Sequence, residues 1–121
     1  MLLLWIVLAD IAAPPAPAKT KDGWAASCEQ RLRRAAADYM ANWHVSGDWF
    51  DLYWHFKKSK DSVEVHLDVP ADICGVYDNY KLKLRRGEKP RWQRIEDYDH
   101  DFDRFKRAFQ PAVAACLSQT Q

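Results

Sequence analysis

Glu64, His66 and Asp68 occupy every second position, so an extended chain carries all three on one face. His55 lies on a preceding run of the same period. An imidazole held beside a carboxylate is fixed in one tautomer and can serve as a general base. Histidine and carboxylate side chains are also ligand types for zinc. His55, Glu64, His66 and Asp68 therefore define the enzymatic alternative for this chain, an acid–base or metal-dependent hydrolase working from the outward face of a sheet. Ordinary sheet surface accounts for the same residues, because opposite charges on adjacent strands pair across the ladder. Lys81, Lys83 and Arg85, on a third run, supply the cations for such pairs. The surface reading is the simpler one, and no metal ion, cofactor or catalytic residue is expected.

Recognition is the other chemistry on offer. The chain of 121 residues holds six Trp, five Tyr and five Phe. Most fall on core stripes, where large rings bury much area. Trp49 and Tyr53 fall on the outward side of the first extended run, and Trp92 and Tyr77 fall near loops. Exposed aromatics beside Arg are the composition of interface hot spots. Trp49, Tyr53, His55, Arg85, Arg86, Arg91 and Trp92 are accordingly the expected partner-binding surface.

The elements that must position these residues follow from periodicity. Trp24, Cys28, Leu32, Ala35, Ala36, Tyr39 and Trp43 recur at three and four residues. That spacing predicts an amphipathic helix over Asp22 to Trp43. The period then changes to two. Phe50, Leu52, Trp54 and Phe56 alternate with polar neighbours, and so do Val63, Val65, Leu67 and Val69. Two strands joined by Lys58-Ser59-Lys60-Asp61 are expected, with Lys57 opposite Ser62. This register sets His55 opposite Glu64, Tyr53 opposite His66 and Asp51 opposite Asp68. A third strand covers Tyr80 to Arg85, and a fourth lies at Ile73 to Tyr77 or Arg91 to Ile95. Phe102, Phe105, Phe109, Val113, Cys116 and Leu117 mark a last helix ending near Ser118, with Pro111 inside it as an expected kink. The fold class is α+β. A two-layer sandwich is expected, with an N-terminal helix, an antiparallel sheet of three to four strands, a C-terminal helix, and both helices on one face.

Residues 1–18 read as a signal peptide and 19–121 as a single domain. Met1 to Leu8 is apolar but too short to span a bilayer, and Ala16-Pro17-Ala18 supplies small residues for cleavage. An exported chain meets an oxidising compartment, where cysteines pair. Cys28 lies early in the first helix and Cys116 late in the last. They meet only if the helices run antiparallel, which needs an even number of strands. A Cys28–Cys116 disulfide therefore predicts a fourth strand and leaves Cys74 free or paired between molecules.

The net charge is only +1, yet it hides two opposed stretches. Lys81, Lys83, Arg85, Arg86, Lys89, Arg91 and Arg94 are opposed by Glu88 alone. Glu96, Asp97, Asp99, Asp101 and Asp103 follow. The acidic run departs from a calcium loop, which needs Gly at its sixth position where Phe102 stands. Asp99 or Asp101 is instead expected to cap the last helix. A helix, three strands and a helix resemble double-stranded-RNA-binding domains, but acids stand where such domains carry phosphate-binding lysines. Nucleic acid is not an expected partner. The chain is expected to be a periplasmic or secreted binding protein rather than an enzyme. It would engage a protein or other macromolecule in the manner of an inhibitor or immunity-type protein of an extracytoplasmic enzyme.

Overall fold

The computed structural model describes residues 21–72 and 75–118. The signal-peptide reading of residues 1–18 and the state of Cys74 lie outside them. Helix α1 is Lys21–Met40, extended by a 3-10 turn over Ala41–Trp43. A second 3-10 turn, Gly47–Trp49, leads into the single helical turn α2, Phe50–Tyr53. Strands β1 (Trp54–Lys58), β2 (Ser62–Pro70), β3 (Tyr77–Arg85) and β4 (Arg91–Glu96) follow, and α3 is Phe102–Leu117. The four strands form one antiparallel meander in the order β1-β2-β3-β4. Both helices cover one face of it, so the expected α+β sandwich is the observed architecture, with the fourth strand at Arg91–Glu96. Among the described residues, no helix is long and apolar enough to cross a membrane.

The alternation of β2 holds throughout: Val63, Val65, Leu67 and Val69 are buried, and the residues between them are half-exposed. Their buried neighbours on β3 are Tyr80, Leu82 and Leu84. From above, α1 contributes Trp24, Cys28, Leu32, Ala36 and Tyr39, and α3 contributes Phe105, Phe109, Val113 and Cys116. Cys28 and Cys116 are side by side, and the Trp24 indole Nε1 donates to the Cys116 carbonyl at 2.9 Å. The start of α1 thus meets the end of α3, and the helices run antiparallel. Helix α3 passes through Pro111, whose ring lies on its exposed side.

Two expectations about the first hairpin are corrected. Residues 47–53 are helical rather than extended. Phe50 and Trp54 both point inward and stack at 5.7 Å between ring centroids. A spacing of four satisfies a helix as well as a strand, so this short window obeys both periods. Leu52 is the casualty of the strand reading: it is 60% exposed, not in the core. The register also differs by two residues. Phe56 pairs with Val65 and Lys58 with Val63. The Ser59 N–H donates to the Ser62 carbonyl at 2.9 Å, leaving Lys60 and Asp61 as a two-residue turn. A shift of two keeps every side chain on its face, but it changes the outward neighbours. His55 now lies opposite His66, and Lys57 opposite Glu64.

One inward position of β3 is polar. Asp78 is fully buried, and its Oδ1 accepts from the Tyr98 N–H at 2.5 Å, while its Oδ2 has no hydrogen-bond partner among the described residues. The neighbouring Tyr80 hydroxyl donates to Asp97 Oδ1 at 2.5 Å, which also accepts from the Asp101 N–H at 3.0 Å. Asp101 holds the N-cap position of α3 without a side-chain capping bond, and Asp99 Oδ2 accepts from the Asp72 N–H instead. The acidic stretch is therefore a loop tied to the sheet by its carboxylates, not a capping device.

Burial raises the Asp78 carboxyl above the ordinary carboxylate range, and the Asp99 and Asp97 charges add to this, against the backbone N–H groups of Tyr98 and Asp99. A raised folded value favours the protonated acid. The stabilisation from Asp78 is then fully present below its unfolded value of about 3.9 and is lost as pH rises through the folded value. Asp78→Asn keeps the shape and removes the charge. Its melting temperature should exceed the wild type's at pH 7, and the gap should close by pH 4. A variant destabilised equally at both values would count against this account.

Candidate functional site

None of the described elements covers the sheet face opposite the helices, and the rows of the meander place its residues. His55, His66, Lys81 and Gln93 form one row across the four strands. Asp68 and Asn79 are paired in the next row, and Pro70 and Tyr77 in the row beyond. Tyr53 precedes β1 at that same end, and its ring lies 5.8 Å from that of Tyr77. A hydrogen bond with Tyr77 holds the Tyr53 phenol above its ordinary range.

Asp68 is the hub of the polar rows. Its Oδ2 lies 3.1 Å from His55 Nε2 and its Oδ1 lies 3.3 Å from His66 Nε2. The two imidazoles stand 5.5 Å apart between centroids. His66 Nε2 also lies 3.4 Å from Asn79 Oδ1. Glu64, the fourth residue of the enzymatic alternative, turns away to Lys81 at 3.5 Å. Asp51, expected opposite Asp68, sits on α2 and pairs with Arg33 at 2.8 Å. Three of the four acid–base candidates are thus brought together on an open surface. Each Nε2 approaches a different carboxylate oxygen at hydrogen-bonding distance. Among the described residues, no three His, Cys, Asp or Glu side chains are grouped to hold a metal ion. An imidazole oriented by a carboxylate is half of a general base. A reacting group beside it and a concave site that excludes water would be the other half. The grooves lie elsewhere: one of about 730 Å³ runs between α1 and α3, lined by Arg34, Ala35, Arg104 and Ala108.

The residues expected to form one binding surface fall into two groups. Trp49, 66% exposed, Tyr53 and His55 lie at the α2 end of the sheet. Arg85, Arg86 and Arg91 lie at the opposite end. Strand β3 runs from Tyr77 to Arg85, eight steps or about 26 Å at ~3.3 Å per residue. Arg85 and Arg91 flank Glu88 at 3.1 and 3.7 Å, and Arg86 lies 3.9 Å from Asp61. Trp92 belongs to neither group. It points inward, half-buried, its ring edge-on to Phe105 at 5.8 Å.

Two exposed residues join the α2 end that alternation did not assign to it. Trp49, Leu52 and Tyr53 stand at i, i+3 and i+4 on consecutive helical turns, which places them on one side. Leu52 is therefore Trp49's neighbour, and Tyr77, 40% exposed, continues the patch through Tyr53. The helical spacing was the available signal for Leu52. Tyr77 needed the β2–β3 register, which sets it opposite Pro70.

Fold and surface together define a small α+β domain with an open sheet face and an aromatic end. Compared with protein-family models, with curated proteins and with solved structures, the chain finds no match in any of the three.

Proposed function

We propose that this chain is a binding protein, with no reaction of its own, that engages a macromolecular partner through the aromatic end of its open sheet face. The observation that carries this reading is the contiguous patch of Trp49, Leu52, Tyr53 and Tyr77. Trp49 and Leu52 are both more than half exposed, while Phe50 and Trp54 beside them are buried in the core. Solvent-exposed apolar clusters rimmed by polar groups are the mark of interaction surfaces. The polar rim here is His55, Asp68 and Asn79 on the sheet and Asp51 on α2. Export to an oxidising compartment belongs to the same proposal. It is supported by the apolar start and the Ala16-Pro17-Ala18 segment, and by two cysteines placed for pairing.

The full chain, immobilised, should retain material from an extracytoplasmic extract of its source, with eluates assayed separately for protein and for carbohydrate. The double variant Trp49→Ala, Leu52→Ala should retain at least about tenfold less, as for loss of a hot spot. Arg85→Ala with Arg86→Ala, at the far end of the sheet, should retain as much as the wild type. Equal retention by wild type and aromatic variant would remove the proposal.

A further inference from the structure

We propose that the partner is an uncharged polysaccharide chain, seated on the rings of Trp49, Tyr53 and Tyr77 and hydrogen-bonded by Asp68, Asn79, His55 and His66. This rests on the binding reading above and names the chemistry of its partner.

The groups surrounding the rings distinguish one class of partner from another. A protein hot spot combines Trp and Tyr with Arg and a desolvated pocket. The arginines expected to complete such a spot lie about 26 Å away along β3 at ~3.3 Å per residue. What stands beside the rings instead is a carboxylate, a carboxamide and two imidazoles. Tyr53 and Tyr77 lie 5.8 Å apart, and Asp68 with its two histidines occupies the adjoining rows.

A pyranose ring has the complementary surface. Its C–H face is apolar and packs on an aromatic face, in the class of weak C–H contacts. Its rim of hydroxyls both donates and accepts. Carboxylates accept, carboxamides donate and accept, and neutral imidazoles do both. Asp68 Oδ1 and Oδ2 each hold a second lone pair beyond the one facing a histidine; His55 is half exposed and His66, Asp68 and Asn79 are partly exposed, on a face that none of the described elements covers. The sheet is open rather than cleft, which admits a long chain passing across it and not only a chain end.

Charge selects the neutral polymer. Asp48 and Asp68 lie at this end, Asp51 beside them is balanced by Arg33 at 2.8 Å, and the acidic loop through Asp97 and Asp99 adjoins it through the Asp72 N–H. An anionic polymer would be repelled here and drawn to the arginine end.

Titration calorimetry and tryptophan fluorescence of the full chain with cellohexaose and with chitohexaose test this. Trp24 and Trp54 are buried and Trp43 and Trp92 half-buried, so Trp49 is the described indole open to a ligand. Saturable binding of at least one of the two is expected, with a blue shift of emission. Trp49→Ala should weaken it at least about tenfold. Trp49→Phe should keep binding and lose the blue shift, a split that general damage would not produce. Polygalacturonate should bind no more tightly than the neutral chains. Two results overturn the assignment: no saturable binding of either neutral hexamer at millimolar concentration, or binding that Trp49→Ala leaves unchanged. If the hexamers fail while capture of a protein from the extract still needs Trp49 and Leu52, the glycan assignment falls alone and an inhibitor-type protein partner takes its place. If capture fails as well, both readings fall.

Discussion

Joining Cys28 to Cys116 is expected to stabilise the protein by about 4.6 kcal/mol, the chain-entropy value for a loop of this size. The bridge would close almost the whole described domain, from the second turn of α1 to the last turn of α3. In a domain of this length the gain corresponds to roughly 20 °C in melting temperature. The geometry needs no rearrangement of elements, because the antiparallel helices already bring the two side chains together, both fully buried. A hydrogen bond with Cys116, burial and the Cys116 charge push the Cys28 thiol far above its ordinary range. The thiolate is the species that attacks a disulfide or an oxidant. The folded, reduced protein should therefore oxidise slowly, and the bridge should form while the chain folds. Calorimetry with and without reductant reads the stability, and non-reducing peptide mapping reads the connectivity. Cys116→Ala should melt near the reduced wild type and be indifferent to reductant. A linked Cys28–Cys74 peptide, or a wild type indifferent to reductant, would sink this pairing.

That pairing also shows how far pattern alone carried the fold. The stripe from Trp24 to Tyr39 and the alternation from Val63 to Val69 each satisfy a single period over many residues, so their elements and faces were legible. The link between cysteine positions and strand parity was legible too, since it needs only the directions of two helices. Residues 50–54 were not, because Phe50 and Trp54 face inward under either period. The hairpin register was ambiguous for a related reason: loops of two and four residues both keep Phe56 and Val65 on the core face. The choice matters only outside, where it exchanges Glu64 for His66 beside His55. Trp92 lay beyond reach of local pattern, since its burial depends on Leu82 across the ladder and Phe105 above it. The separation of Trp49 from Arg85 was different. In a meander the first and third strands run in the same direction, so the start of one and the end of the other must stand at opposite ends of the sheet. Composition joined residues that topology keeps apart.

The contrast between Leu52 and Phe105 turns that lesson into a measurement. Phe105→Ala is expected to cost about 3–5 kcal/mol, the range for removing a buried phenyl ring. Its ring is fully buried, with Phe109 at 4.6 Å, Tyr80 at 5.0 Å, Trp92 at 5.8 Å and Tyr39 at 6.1 Å between centroids. It joins α3 to both helix α1 and the two central contacts on β3 and β4, so no single neighbour can move to fill the space. Leu52→Ala, on an open turn, should change stability by no more than about 0.5 kcal/mol. Had Leu52 been the inward residue that alternation implies, its truncation would cost about 2–5 kcal/mol. Urea unfolding separates the cases through the midpoint at unchanged slope. Binding should reverse the order: Leu52→Ala loses capture while remaining folded, and Phe105→Ala, under conditions where it is folded, keeps the patch intact because the ring lies on the other side of the sheet. A Leu52→Ala variant that unfolds as easily as Phe105→Ala would place Leu52 back in the core and dissolve the patch. A Leu52→Ala variant that is stable and binds less assigns the exposed leucine to recognition.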